Sequence, residues 1–498
     1  MALTELIEGP GWAVPELVVR AGRYPLSVES HLINMTARLV PGATTVTINA
    51  RYYALHSLVA LEAERLGLEL DRAYELLRRC EVVIAAASLA HPDPAGRVAH
   101  GHDQVSERVH RDGGVVNIAA LAVPKKGYAN PQSGFLGPYV GSELTLRVLG
   151  GGFTPGARVD ETALRAGFPG LFDLASQDET SLDNLAAHPE LSIAAAGASP
   201  DGEWLRRLMC SVGLADEVKL DQTRRGTVRL LGRAAVVSPH NDLVESFRAL
   251  VAYGPGLAED PVASCTPEAE AWRGVLFRHD SVGAWRRLWA WLVDQFDGDG
   301  RLTDPNRLVE AVVAELGGGT LGDFVDSLPP TLDSAGHPAP AETEVRADER
   351  FTTVSRCLAL LALGGQRSGE LEGNVRAALI GDERRPAVLS PLWMAHWVES
   401  RRDRDMADVG EELVRVLLDR ARRVALKKMR WEGDHLWLPT RVHERGERLY
   451  RTSREGGGNV GVRLPQLAGI LATLGVFAHD GNWSVTPLGD DLLDVTSP

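Results

Sequence analysis

HLINMTARLVPGATTVTINARYYALHSLVALEAERL, running from His31 to Leu66, is the most ordered stretch of the chain. Two helix-like runs flank the elbow Val40-Pro41-Gly42 and a short β-prone Thr/Val run, and the second opens at Arg51-Tyr52-Tyr53. Tyr52, Leu55, Val59 and Leu66 recur there at helical spacing, and Leu58 and Leu61 widen the apolar stripe. A helix apolar over that much of its circumference is a core helix, so its neighbours are expected to pack around it. It is the predicted hub of the N-terminal domain.

Working outward, the spacing predicts helices over 29–39, 51–66 and 71–89. The third has Tyr74, Leu77, Val82 and Ile84 on its inner side. Asp71 is its expected N-cap, since a carboxylate there can accept from the free N–H groups of the first turn. From His91 to Gly152 the periodicity breaks into Gly, Pro and short apolar pieces. Its middle, KKGYANPQSGFLGPYVGSE (125–143), combines glycines and two prolines with three aromatics. Such a loop either cradles a ligand or pins itself to the core by its rings. Residues 155–255 again read as helical. Thr266-Pro267 then predicts a helix start, a hydroxyl cap followed by proline at the first helical position. After it Trp285, Leu288, Trp289, Leu292 and Phe296 form a stripe expected to be core.

Residues 328–349, LPPTLDSAGHPAPAETEVRADE, are rich in Pro, Ala and acid with little apolar periodicity, which reads as a domain boundary. Further helices are expected near 351–364, 391–400 and 407–430. The predicted fold class is therefore mainly α and multidomain. The divisions are a helical domain over 1–150, a helical middle domain over 151–330 and a linker over 331–349. A helical basic region over 350–455 and a winged-helix-like module over 456–498 complete the chain.

At 498 residues the chain has material for about three cores. Cys80, Cys210, Cys265 and Cys357 are scattered without a CxxC pair, which predicts reduced thiols and a cytoplasmic location. No apolar run approaches the roughly 20 residues of a membrane-spanning helix, so no membrane partner is expected. The net charge of −14 is unevenly spread. Residues 415–454 carry twelve Lys/Arg against five Asp/Glu, a local +7 that leaves −21 on the remainder. An acidic body with one basic segment needs a separate account for each part.

Three groups of residues have letters that suggest chemistry. His100-Gly101-His102-Asp103, with His91 and His110 nearby, has the spacing of a chelating loop, but no strand precedes it and no distant ligands complete it. Asp201 followed by Glu217-Val218-Lys219 matches a metal-dependent nuclease pattern in letters, yet the residues between read as helix. Phe296-Asp297-Gly298-Asp299-Gly300 starts like a calcium loop, but Arg301 and Leu302 stand where a ligand and a turn glycine are required. GxxxxGK[ST], GxSxG and HExxH are absent from the sequence. No catalytic residue, metal ligand or cofactor is therefore assigned.

The C-terminal spacing is more specific. Leu464, Leu467, Leu471 and Leu474 predict a helix stopped by Gly475. Val476-Phe477-Ala478 and Trp483-Ser484-Val485 around Asp480-Gly481 predict a hairpin, and Thr486-Pro487 restarts a helix. This order resembles the second half of a winged helix-turn-helix domain. Before it lie cations suited to phosphates: Arg420, Arg423, Lys427, Lys428, Arg430, Arg441, Arg445, Arg448, Arg451 and Arg454. Trp431, Trp437 and Tyr450 are interleaved among them, and such rings can stack on bases.

Leu39-Val40-Pro41-Gly42 and Arg51-Tyr52-Tyr53-Ala54-Leu55 resemble a group of uncharacterised bacterial proteins found among restriction and antiphage defence genes. That resemblance implies a multi-gene defence setting and identifies no active site. The sequence thus leads to a non-enzymatic DNA-binding or adaptor component of such a system. Its partners would be DNA and a protein such as a helicase or nuclease. The alternatives are a metal-dependent nuclease subunit using the His100 or Asp201 group, and a pure protein-interaction scaffold.

Overall fold

The hub prediction holds at the level of individual side chains. The structure, a computed structural model, describes residues 22–384, 387–433 and 435–496. In the Arg51–Arg65 helix, every residue from Arg51 to Ala60 is buried, which covers the whole helical circumference. Helices dominate throughout, and among the described residues each sheet is a single antiparallel pair of short strands. The chain divides into two compact units, each assembled from separated segments. One comprises 37–250, 260–268 and 463–498; the other takes in residues up to Thr36, 251–259 and 269–462.

In the first unit the hub packs on the Leu70–Ala90, Leu136–Leu146, Glu161–Gly167 and Pro200–Cys210 helices. The preceding elbow turns at Gly42, whose φ of 86° suits a residue without Cβ. Tyr53 donates its hydroxyl to the Gly42 carbonyl at 2.9 Å, tying elbow to hub. The Thr/Val run makes no strand; Thr47 Oγ1 instead accepts from the Thr44 N–H at 2.8 Å, a local side-chain turn. Asp71 is not the cap of its helix. Glu69 occupies that position without a side-chain bond, and Asp71 lies in the first turn, accepting from Gln132. The later part of the Gly/aromatic stretch is helical from Leu136, and its rings face the hub.

The C-terminal segment belongs to this unit. Its Leu464–Thr473 helix, the Phe477–Asp480 and Asn482–Val485 hairpin, and the Pro487–Leu493 helix occur in the expected order. Arg229 Nε donates to the Leu493 carbonyl and Arg233 Nη1 to that of Val495, both at 2.9 Å. Phe477, Leu493 and Val495 crowd around Gly232, whose missing Cβ would stand 3.3–3.6 Å from them.

In the second unit the Glu268–Asp294 helix carries the core. Trp272, Trp285, Leu288, Trp289 and Leu292 are buried, with Trp285 Nε1 donating to the Leu389 carbonyl at 2.9 Å. The helix begins directly after Thr266-Pro267, and the Thr266 hydroxyl donates to the Val262 carbonyl at 2.7 Å. The Thr353–Glu370 and Pro391–Glu399 helices meet where Gly365 lets their backbones approach. The proline- and acid-rich stretch expected as a linker is built into this unit. It contains the Ala341–Ala347 helix, and buried Glu342 receives Arg367 through both carboxylate oxygens. Arg367 also donates to the carbonyls of Thr331 and Ala339. One buried guanidinium thus satisfies a segment whose apolar content alone would not hold it. No helix among the described residues is long and apolar enough to cross a membrane.

Candidate nucleic-acid interface

The basic segment begins on the Met406–Lys428 helix of the second unit. Its inner side, Met406, Val409, Leu413, Leu417, Ala421 and Val424, is buried. Its charge is polar along the axis: Asp408 sits in the first turn, Lys427 and Lys428 in the last, so both ends complement the dipole. Arg415, Arg422, Arg423 and Lys427 are exposed on the outer side. Two hairpins follow, Arg430–Glu432 with His435–Trp437, and Val442–Arg445 with Arg448–Arg451.

The ten sequence-derived cations separate into two groups once their partners are known. Arg420 Nε donates to the Leu26 carbonyl at 2.8 Å, and Lys428 Nζ to those of Arg23 and Tyr24 at 2.8 and 3.0 Å. Burial holds both cations below their usual range. Arg441 pairs with Glu455 at 2.7 Å. Arg451 is buried, donating to the Val293 carbonyl, Asp294 and Asp299 at 2.8–3.2 Å, which removes it from any external phosphate. These four are internal fastenings.

The outer group is Arg423, Lys427, Arg430, Arg445, Arg448 and Arg454, all exposed. Arg423 pairs with Asp419 one turn away, Arg430 lies 4.2 Å over the Trp437 ring, and Arg454 approaches Asp294 at 3.7 Å. Lys427, Arg445 and Arg448 make no ion pair among the described residues. Arg445 and Arg448 stand directly opposite each other across their hairpin. Like charges in that position destabilise a hairpin by several tenths to about 1 kcal/mol. A bridging anion would relieve them.

Helix and hairpin face each other across a groove with a volume of about 270 Å³. Leu418, Ala425 and Leu426 form one wall, Leu438, Val442 and Leu449 the other, with Trp289 also lining it. Arg422 reaches Glu444 at 3.3 Å, so both elements belong to one face. Trp431 stands 71% exposed on the neighbouring hairpin. The groove was not legible in the sequence, because its walls come from residues up to 160 positions apart; only the cations and rings gave a signal.

The residues of the catalytic-looking patterns lie in the other unit, where Asp201 and His100 are held by its own side chains. Asp201 is fully buried and accepts from Arg51 Nε and Nη2 at 3.0 and 3.1 Å. Ser199 caps its helix, accepting from the Gly202 N–H. Glu217 is exposed, and Lys219 opens the next helix. His100 stacks on Phe135 and meets the Tyr139 hydroxyl at 2.9 Å, within a cage of Tyr52 and Tyr139.

Beneath that cage lies a polar cluster that apolar spacing could not reveal. Buried His56 has Glu143 at 2.6 Å on Nδ1 and Glu81 at 3.3 Å on Nε2. Glu81 also receives the Tyr128 hydroxyl and the Phe135 N–H. Burial alone would depress His56, but the two carboxylates outweigh it and lift the imidazole to about 9. Burial raises Glu81 and Glu143 and pushes His100 down to about 4. The cluster ties three helices together. No protein family, curated protein or solved structure matches this chain.

Proposed function

We propose that the chain is a non-enzymatic nucleic-acid-binding component, contacting phosphates through the outer cations of the 415–454 segment. The observation that carries this is the Arg445–Arg448 pair, two exposed like charges held opposite each other without a neutralising partner among the described residues. Arg422, Arg423 and Lys427 on the facing helix extend the same positive face within an otherwise acidic chain. Phosphate binding there releases counterions, which makes affinity fall as salt rises.

The helix–hairpin–helix over 464–493 keeps the order of a winged helix's second half, and we assign it a packing role. Its first helix carries no cation, and Leu464, Leu467, Ala468, Ile470 and Leu471 are buried. A groove-reading helix needs an exposed polar face. An antiphage-defence setting, a cytoplasmic location and a helicase or nuclease partner docking on the acidic remainder complete the proposal. These rest on the N-terminal resemblance and on the charge asymmetry.

The test is fluorescence anisotropy of the full chain with a labelled oligonucleotide across a salt series. Binding should weaken with salt, and Arg445→Ala with Arg448→Ala should lower the log–log slope by about two. Arg451→Ala belongs to a different class, since that residue is structural. Absence of salt-sensitive binding at low ionic strength would make the basic face a protein-docking surface instead.

A further inference from the structure

We propose that the groove between the Met406–Lys428 helix and the 442–451 hairpin receives an unstacked base, so that the substrate class is single-stranded nucleic acid. This rests on the phosphate-binding reading above and goes beyond it. Three features of the groove select its occupant.

The first is size. About 270 Å³ lies just under the roughly 300–1,000 Å³ of sites for drug-sized ligands, room for one flat ring system and little more. The second is polarity. Much of the wall is apolar, and Arg422, Thr440, His443, Glu444 and Glu447 also line the space. Arg422 pairs with Glu444 at 3.3 Å within the lining, which leaves Glu447 to repel a phosphate placed inside, while Lys427, Arg445 and Arg448 attract one placed outside. A chain that keeps its phosphates outside and sends a neutral ring inward satisfies both. Carboxylates accept from the exocyclic amino groups of cytosine, adenine and guanine, which thymine lacks. Trp289 Nε1, buried without an acceptor among the described residues, adds a donor at the lining. The third is Trp431, which offers an exposed flat ring beside Arg430 on the adjacent hairpin. Bases of a duplex are already stacked and cannot reach either ring surface without being extruded.

The experiment measures anisotropy of the full chain with labelled dC20, dT20 and a mixed 20-mer as single strand and as duplex. The single strand should bind at least about tenfold tighter than its duplex, with dC20 tighter than dT20. Trp431→Ala removes an exposed ring, and Leu426→Gln places an uncharged polar group on the groove wall from a partly exposed position, so neither empties the core. Each should cost single-strand affinity about fivefold or more while leaving the salt slope unchanged. Equal or tighter duplex binding, or full single-strand affinity in both variants, overturns the base-in-groove assignment and leaves the phosphate reading standing. Loss of all salt-sensitive binding overturns both.

Discussion

At the scale of single residues, the polar groups of the first unit explain why its catalytic-looking letters do no chemistry. Asp201 and Arg51 lie 150 positions apart and form a buried two-point ion pair, in which removal of either partner strands a charge. His56 makes a more direct prediction. Its folded pKa of about 9 lies above the ordinary value of 6.5, so its contribution is fully present below pH 6.5. That contribution is lost as pH rises through 9. Denaturant midpoints should therefore fall between pH 6.5 and 8.5 by on the order of 2 kcal/mol of unfolding free energy. His100, depressed by burial, acts with the opposite sign and mainly below pH 6.5, so it offsets little of this fall. His56→Gln should be less stable at pH 6.5 and show a smaller fall across the range; a wild-type profile that is itself flat would mean His56 is neutral in the fold. The apolar hub around His56 was legible because every third or fourth letter is hydrophobic. Its partners were not, since Glu81 and Glu143 stand 25 and 87 positions away and nothing local marks them as inward-facing.

At the scale of elements, most helices were readable from period, several of them to within one or two residues: those expected over 51–66, 71–89, 391–400 and 407–430 run Arg51–Arg65, Leu70–Ala90, Pro391–Glu399 and Met406–Lys428. The caps were harder to read: Glu69 heads one helix uncapped with Asp71 inside its first turn, while Thr266 precedes the Glu268–Asp294 helix and its hydroxyl donates back to Val262. Helix-to-helix distance was equally hidden. In the Thr353–Glu370 helix, a Cβ on Gly365 would stand 3.0 Å from the Ala395 backbone nitrogen, while one on Gly369 meets nothing within 4 Å. Helix propensity favours alanine over glycine by about 1 kcal/mol at either site. Gly369→Ala should accordingly raise the thermal midpoint, and Gly365→Ala should lower it by forcing the Pro391–Glu399 helix outward. A rise in both would mean that this helix pair is looser than its backbone approach implies. The basic segment follows the same logic: its cations were legible as letters, but only packing separates Arg451 and Lys428, which fasten the fold, from Arg445 and Arg448, which face outward.

At the scale of the whole molecule, local composition misplaced the boundaries, because each unit is assembled from segments far apart in sequence. The 328–349 stretch looked like a linker through its prolines and acids, yet Arg367 supplies the bonds that build it into a core. A C-terminal fragment starting near 349 would carry part of one unit and the closing segment of the other, and would complete neither. The same topology makes residues 463–498 a test of what the last segment does. Were it an appended winged-helix module, ending the chain after Val462 would leave the remainder as stable as before. In the structure Leu467, Leu471, Phe477, Leu493 and Val495 are buried, and the carbonyls of Leu493 and Val495 receive Arg229 and Arg233. Each fully buried side chain of this kind contributes about 1.5–3 kcal/mol, so five of them match the 5–15 kcal/mol that hold a domain together. A chain ending at Val462 should therefore lose protection of the 219–237 helix in hydrogen exchange. The 353–370 helix, in the other unit, should exchange as slowly as in the full chain. Retained protection of 219–237 would show that the C-terminal segment is dispensable to the unit and free to act as a separate module.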